Sequence, residues 1–174
     1  MSAESHSSVV PWPIAPRPYE EAFGGWLGRV AARYQLSVAM LWEMSASEPL
    51  PALGTAGWIL FPPISQSASR RFATLARLDD DRLKHIQTPS AWLIDRRCMP
   101  YCFRCLVLND ADISAPRWRR EWLEPTVEFC SVHHTLLETV PASVFRLSGH
   151  FAGALHAISR YREARKFKDY RRLR

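Results

Sequence analysis

The 174-residue chain lacks any long apolar run: its apolar stretches are interrupted well before the roughly 20 residues that a membrane-spanning helix requires. Its amino-terminal stretch, MSAESHSSVVPWPIAPRP, has neither the basic region nor the apolar region of a secretory signal peptide. We therefore expect no membrane association and a cytoplasmic location. In that reducing compartment, the four cysteines are expected to bind a metal or to act in redox chemistry before they form structural disulfides.

The motifs of several enzyme classes are also missing. The sequence contains no glycine-rich phosphate-binding loop and no G-x-S-x-G nucleophile elbow. The carboxylates are scattered, apart from three consecutive Asp residues at 79–81, whose spacing suits helix capping better than metal catalysis. His6, His150 and His156 have no evident partner. The sequence gives no reason to expect an active site, and we predict that the protein is not an enzyme.

The net charge of +6 lies entirely near the C-terminal end. Between residues 160 and 174, eight basic residues stand against two acidic ones, and the charges of all other residues cancel. Such a segment suits a phosphate backbone or an acidic protein face, whereas a solvated, frayed end is the alternative. The residues predicted to contact DNA are the eight basic ones: Arg160, Arg162, Arg165, Lys166, Lys168, Arg171, Arg172 and Arg174.

Apolar residues at spacings of three and four predict an amphipathic helix over about 19–34, with Glu20 and Glu21 in its first turn. Gly24 and Gly25 weaken this helix by about 1 kcal/mol each relative to Ala, so packing must hold it. A second, shorter helix is predicted to follow Ser37, which suits an N-cap.

A Pro- and Gly-rich connector over 46–66 separates these helices from a second pair over 69–87, where the Asp run can cap the later helix. Short helices joined by tight turns are compatible with a helix-turn-helix, although any small helical bundle gives the same pattern. We predict a mainly α fold in four parts: a flexible Pro-rich arm at 1–15, a helical, helix-turn-helix-like region at 16–95, a zinc-binding segment at 96–140, and a C-terminal helix with a basic tail at 141–174. The zinc-binding segment is expected to consist of irregular loops with one short helix at 118–123.

The cysteines carry the clearest chemical signal. Two close pairs, Cys102-x2-Cys105 and Cys130-x2-His133, are separated by 24 residues, a spacing that can supply four tetrahedral ligands to one Zn²⁺. Four protein ligands leave no open position, so a structural zinc is expected and a zinc hydrolase is disfavoured. Cys98 stands just outside the pair spacing and is interpreted as a non-ligand.

Two ligand positions stay open at this point: Cys98 could replace another thiol, and His134 could replace His133. Buried thiols beside a surface histidine are the alternative to a metal site. A thioredoxin-like function would need a βαβ context, which does not surround Cys102. A zinc deaminase would need an H-x-E motif upstream, and the nearest sequence, at 85–87, ends in Gln, which cannot transfer protons.

Three stretches, PYEEAFGGWLGRVAARYQLS, FATLARLDDDRLKHI and CFRCLVLNDADISAPRWRREWLEPTVEFCSVHHTLL, resemble the TniQ family of bacterial transposon proteins over most of residues 13–137. In that family, a P-x-x-x-E-x-x-x-S-W-L-x-R-like helix precedes CP-x-C-L-x-x-D, W-R-x-x-W and CP-x-H-G-x-x-L segments. Positions matching the family's zinc ligands are Cys102, Cys105, Cys130 and His133. Other matching positions are Trp26, Leu27, Arg29, Leu106, Asp110, Trp118, Arg119, Trp122 and Leu137.

The chain departs from the family pattern at several positions. Gly24 and Gly25 stand where Ser is usual, and His134 stands where Gly is usual. Tyr101 and Ser131 replace two prolines of the zinc-binding segments. The second C-P-x-C of many members is missing, so the resemblance implies one zinc site rather than two. Many relatives also have a longer C-terminal region, which reads a target DNA sequence in one branch of the family.

The resemblance implies a non-catalytic accessory protein of transposition in the bacterial cytoplasm. Such an adaptor links target DNA, or an RNA-guided or other target-recognition complex, to an AAA+ ATPase that recruits the transposase. Because Trp and Arg are common in interface hot spots, the predicted partner-binding residues are Trp118, Arg119, Arg120 and Trp122. For the two tryptophans, core packing around the metal is the alternative.

The competing hypothesis is a stand-alone, zinc-stapled DNA-binding regulator that uses the helix pair at 69–87 as a helix-turn-helix. Base-reading residues of such a motif usually project from the start of its second helix. In this sequence, that position is occupied by the three Asp residues at 79–81, which would repel phosphates. This charge favours the adaptor.

Overall fold

The structure is a computed structural model that describes residues 10–109 and 115–172, with the backbone alone at 167–172. The described residues form seven α-helices: α1 Phe23–Arg33, α2 Val38–Ser45, α3 Gln66–Ala76, α4 Asp80–Ile86, α5 Phe103–Val107, α6 Ser143–Ser148 and α7 Phe151–Arg172. They also contain two strands, β1 Cys98–Tyr101 and β2 Glu138–Pro141, and three 3₁₀ turns, Gly57–Leu60, Ser90–Trp92 and Arg120–Leu123. The mainly α fold is confirmed.

Helix α1 begins four residues later than the sequence predicted. Glu20 adopts a left-handed conformation (φ 48°), and Glu21 forms an isolated antiparallel bridge with Arg119. The backbone N–H of Ala22 then donates to the carbonyl of Trp118 at 2.9 Å. The expected placement of the two acidic residues in the first helical turn was therefore wrong, because backbone pairing with a distant segment holds them outside the helix.

Close packing holds α1 in spite of its glycines, as the sequence required. Gly24 is buried, and a Cβ at this position would lie 1.9 Å from the carbonyl oxygen of Trp58. A Cβ on Gly28 would lie 2.7 Å from the Trp58 ring and 2.8 Å from the Phe151 ring. The glycines allow the 3₁₀ turn at Gly57–Leu60 and α7 to approach the helix backbone directly.

The following helices have the expected order and a partly different capping. Ser37 caps α2, since its hydroxyl accepts from the N–H of Met40 at 3.1 Å. A short turn with Arg77 in the left-handed conformation (φ 54°) joins α3 to α4. Asp79 occupies the N-cap position of α4 without a side-chain capping bond, whereas Asp80 accepts a hydrogen bond from Ser69 at 2.6 Å. The Asp run thus ties the two helices together.

The segment 96–140 is not only loops. Strands β1 and β2 pair antiparallel, with Cys98 opposite Pro141 and Tyr101 opposite Glu138. These strands were not predicted from the sequence, because Pro100 and Pro141 argue against sheet pairing. The prolines occupy residue pairs that lack mutual hydrogen bonds, because proline has no N–H to donate. The hydrogen-bonded pairs are those that alternate with them along the two strands.

The predicted C-terminal helix is two helices. Gly149 (φ 60°) ends α6 in a left-handed conformation, and its carbonyl accepts from the N–H of Val38 at 3.0 Å. Helix α7 then begins at Phe151 and contains the basic segment. None of the helices in the described residues is both long enough and apolar enough to cross a membrane.

One hydrophobic core joins the helices to the cysteine segment. Trp118 stacks edge-on against Phe145 and Trp122, with ring centroids 4.9 and 5.4 Å apart. At the other end, Trp12 lies 5.9 Å from the Phe72 ring and donates its backbone N–H to a carbonyl of α3. Trp12 and Ala15, in the segment expected to be a flexible arm, thus pack against the core, and residues 1–9 lie outside the described residues.

Candidate metal centre

The first ligand pair is positioned by the junction of β1 and α5. The strand ends at Tyr101, and Cys102 stands at the N-cap of α5. The carbonyl of Cys102 accepts from the N–H of Leu106 at 3.1 Å, so Cys105 lies in the first turn of the helix. The spacing of three residues therefore brings both thiols to the same side of one helical turn.

The second pair lies in a tight turn between two short extended segments. Phe129 bridges to Leu136, and the N–H of Cys130 donates to the carbonyl of Thr135 at 2.9 Å. His134 closes the turn in the left-handed conformation (φ 50°), which is the region that glycine adopts without strain. This backbone geometry explains why the TniQ pattern has glycine at this position.

The structure brings the four predicted ligands together: one donor atom from each lies within 4.8 Å of all the others. A tetrahedral zinc with bonds of about 2.3 Å to sulfur and about 2.05 Å to nitrogen separates two sulfurs by about 3.8 Å, and sulfur from nitrogen by about 3.6 Å. The Sγ atoms of Cys105 and Cys130 are 3.5 Å apart. His133 Nδ1 lies 3.5 Å from Cys102 Sγ and 3.2 Å from Cys105 Sγ, and 3.8 Å separates it from Cys130 Sγ. These distances fit a tetrahedral metal ion.

The geometry also decides between the alternative ligands. Cys98 is exposed on β1, and neither it nor His134 belongs to the cluster of donor atoms in the described residues. The left-handed backbone at His134 places that residue outside the group, whereas Nδ1 of His133 faces the three thiols. The three thiols and one imidazole that could hold a metal ion are thus Cys102, Cys105, Cys130 and His133.

The pKa values of the thiols differ with their surroundings. Burial raises the pKa of Cys105, and the neighbouring thiols Cys130 and Cys102 raise it further. Burial also acts to raise the pKa of Cys130, but hydrogen bonds from the backbone N–H groups of His133 and Val132 and from the Cys105 and Cys102 thiols together lower the pKa. Backbone donors aimed at a sulfur stabilise the thiolate that a metal requires.

The arrangement can hold a metal ion as a cross-link and offers it no reaction site. Cys102 and Cys130 are buried, and Cys105 and His133 are half-buried. Four protein ligands complete a tetrahedral shell, so a bound ion has no position for a substrate or a water molecule. The chemistry that follows from the donor set is structural.

The predicted partner-binding residues separate into two groups. Trp118 and Trp122 are fully buried, so they pack in the core, which was the alternative interpretation of their role. Arg119 is half-buried and forms ion pairs with Glu20 at 2.9 Å and Glu121 at 2.8 Å. Arg120, also half-buried, lies over the Trp92 ring with its guanidinium carbon 4.8 Å from the ring centroid. Of these four residues, only the two arginines are therefore accessible to a partner.

The predicted DNA-binding residues also differ in their surroundings. Arg162 is engaged within the chain: its guanidinium lies 2.9 Å from Glu138 and 3.5 Å from the centroid of the Phe103 ring. This ion pair and ring contact make it unsuited to bind phosphate. The exposed members on α7 are Arg160, Arg165 and Lys166; Lys168, Arg171 and Arg172 lie where only the backbone is described, and Arg174 lies outside the described residues. The matching position Asp110 is also outside them.

A buried ion pair escaped the sequence analysis. Glu21 and Arg29 are 0% and 5% exposed, and their Oε1 and guanidinium nitrogen are 2.5 Å apart. Burial raises the pKa of Glu21 to about 7, although the charge and hydrogen bond of Arg29 act in the opposite direction. Both residues occupy the charged positions of the E-x-x-x-S-W-L-x-R pattern. The constant spacing between the two charged positions of this pattern is the signal from which the pair could have been predicted. The prediction that Glu21 lies in the first helical turn pointed away from it.

The sequence model of the TniQ family matches this chain over residues 13–137. A comparison with curated proteins gives no match. The matched range contains α1, the buried Glu21–Arg29 pair and all four residues of the metal cluster. The chain therefore belongs to the TniQ family, whose members are accessory proteins of transposition.

Proposed function

We propose that the protein is a non-catalytic adaptor of transposition that links target DNA, or a target-recognition complex, to an AAA+ ATPase. The observation that carries this proposal is the family match over residues 13–137. The closed ligand set supports it, because a four-ligand site suits a protein that holds partners together rather than one that transforms a substrate.

The proposed metal is a single Zn²⁺, since three thiolates and one imidazole in a tetrahedral arrangement are ligands that zinc prefers. Its role is to hold the turn around Cys130 against the start of α5. Both sides of the cross-link contribute to the shared core, through the buried Cys102 and Cys130. The zinc therefore fixes the surface of the 96–140 segment relative to the helices.

The proposed DNA contact uses the basic segment from residue 160 onward. Each phosphate that a cation neutralises adds about −0.9 to the slope of log K against log salt for duplex DNA. Of the eight basic residues, Arg162 is engaged with Glu138. The seven remaining basic residues limit the contribution of this segment to the slope of log K against log salt to about −6.

The alternative, a stand-alone helix-turn-helix regulator, is supported less well. The side chain of Asp81 is 93% exposed at the start of α4. That end of the helix would meet phosphates with a negative charge.

The adaptor is tested by binding. The zinc-loaded protein is immobilised, and the AAA+ ATPase of the same transposon is passed over it with and without a DNA duplex. Retention of the ATPase, lost in Cys102→Ser and kept in Cys98→Ser, is the expected result. If the ATPase is not retained by the zinc-loaded protein, the adaptor proposal is wrong.

DNA binding is measured separately as a salt series with fluorescence anisotropy. A variant with Gln at six basic positions, leaving Arg162 in place, should have a distinctly shallower slope than the unaltered protein. The six positions are Arg160, Arg165, Lys166, Lys168, Arg171 and Arg172. Equal slopes would exclude this segment as the source of DNA contacts.

A further inference from the structure

A groove of about 460 Å³ lies between the strand residues 136–139 and helix α7. Leu136 and Glu138 line it from the strand side, and Tyr161, Arg165 and Lys166 line it from the helix. The adaptor role proposed above rests on the family match and the metal site. Two residues of the groove, Arg165 and Lys166, are also among the candidate DNA contacts.

Leu136, on the strand side of the groove, belongs to an exposed apolar pair whose other member, Phe129, lies outside the groove lining. The N–H of Leu137 donates to Glu128 at 2.8 Å, and the N–H of Cys130 donates to Thr135 at 2.9 Å. Phe129 and Leu136 therefore form a pair without mutual hydrogen bonds, with both side chains on the same face. Cys130 and Leu137 alternate to the buried face, while Phe129 and Leu136 are 58% and 64% exposed.

The helix side supplies positive charge that no described residue neutralises. Glu138, the carboxylate in the groove, is paired with Arg162 at 2.9 Å and accepts the Tyr101 hydroxyl at 3.1 Å. Arg165 and Lys166 are exposed and form no ion pair with any of the described residues. The groove thus combines two unpaired cations with exposed aliphatic and aromatic surface.

We propose that this groove binds an acidic, apolar segment of a partner protein. Its carboxylates would contact Arg165 and Lys166, and an apolar side chain would lie against Leu136 and Tyr161. The inference specifies the chemistry of one partner of the proposed adaptor, and therefore rests on that proposed function.

An acidic peptide fits the groove better than a nucleic acid does. Exposed aliphatic surface beside a charged rim is typical of protein-binding sites. A nucleic-acid groove instead combines its cations with aromatic rings on which bases stack. Among the described residues that line the groove, Tyr161 is the one accessible ring, at 36% exposed, because Tyr101 is only 1% exposed. A single ring beside Leu136 offers no series of rings on which successive bases could stack.

The probe for this groove is a random library of 12-residue peptides, displayed on phage and selected on the zinc-loaded protein. Peptides enriched in Asp or Glu together with Leu, Val or Phe are the expected outcome. One selected peptide is then labelled, and its affinity is measured by fluorescence polarisation. Because Leu136 is exposed, Leu136→Ser should fold normally, which zinc content and circular dichroism verify.

Affinity should fall at least tenfold in Leu136→Ser and in the double variant Arg165→Glu, Lys166→Glu. The matched controls are Leu147→Ser, at a residue on α6 that is 83% exposed, and Arg160→Glu, on α7 but outside the groove. Both should change the affinity less than twofold.

Three results would overturn the assignment: selected peptides without acidic enrichment, equal affinity in the groove variants, or loss of duplex or single-stranded DNA binding in Leu136→Ser. The last result would make the groove a nucleic-acid site. A failure of this test with the ATPase still retained rejects the groove and leaves the adaptor standing. Loss of ATPase retention rejects the adaptor itself.

Discussion

Replacing Cys130 by Ser removes one thiol from the cluster that could hold a metal ion, and should break the cross-link that a bound ion makes between the two pairs. The cross-link closes the loop of 24 residues between Cys105 and Cys130. The chain-entropy relation for a covalent cross-link assigns such a loop about 3.5 kcal/mol at 25 °C. In a chain of this size, 1 kcal/mol corresponds to a change of about 2–4 °C in melting temperature, so Cys130→Ser should lower it by about 7–14 °C.

The assay is thermal unfolding followed by tryptophan fluorescence, because Trp118 and Trp122 lie in the core that the cross-linked segment completes. A chelator should lower the melting temperature of the unaltered protein by a similar amount and leave that of Cys130→Ser unchanged. Cys98→Ser is the matched control, since that thiol is exposed and outside the cluster. The melting temperature of Cys98→Ser should equal that of the unaltered protein.

Removal of the metal should also increase local backbone dynamics in one part of the protein. Amide hydrogen exchange on chelation should accelerate within residues 98–137, including the amide of Cys130, which is bonded to the carbonyl of Thr135. Amides of α3 should change far less, because their helix packs on the opposite part of the core. A Cys130→Ser protein that melts within 2 °C of the unaltered one, or an equal loss in Cys98→Ser, would refute the metal cross-link.

Three further predictions concern α1 and the buried Glu21–Arg29 ion pair. Gly24→Ala should destabilise the protein by about 3 kcal/mol or more in urea unfolding, because overpacking at 1.9 Å from the Trp58 carbonyl outweighs the better helix propensity of Ala. Gly54→Ala, which meets no atom within 4 Å, is the control and should change little. Because burial raises the pKa of Glu21 to about 7, its ionisation opposes folding, and stability is lost as the pH rises from about 4.5 towards 7. Between pH 5 and pH 8 this amounts to roughly 2–3 kcal/mol, which Glu21→Gln should abolish; the same pH dependence in both proteins would contradict it. Arg29→Met should cost about 3–5 kcal/mol at pH 8, where it leaves a buried carboxylate unpaired, and less at pH 5.

The ligand set was predictable because metal ligands are a local pattern. Two residues three apart in the chain reach the same ion whether they lie in a helical turn, as at Cys105, or in a tight strand-to-strand turn, as at Cys130. The choice of His133 over His134 needed the structure, since the left-handed backbone at His134 decides which imidazole faces the thiols. Sequence spacing alone would allow either histidine to be the ligand.

Helices were predicted better than strands for a related reason. The apolar periodicity of α1 and the cap at Ser37 are properties of adjacent residues. Strands β1 and β2 are 37 residues apart at their Tyr101–Glu138 pair and contain prolines, so only their tertiary pairing identifies them. The buried role of Glu21 depends in the same way on residues 118–120, which hold it outside the helix.

By itself, the sequence determined the mainly α class, the metal-binding donor set, the location of the positive charge and the family. Each of these depends on residue type and short-range spacing. The tertiary structure alone decided that Trp118 and Trp122 are core residues, that Arg162 is held by Glu138 while Arg165 and Lys166 form ion pairs with none of the described residues, and that Glu21 is buried against Arg29. Burial and ion pairing arise between residues distant in the chain, and the local pattern of a sequence does not contain that information.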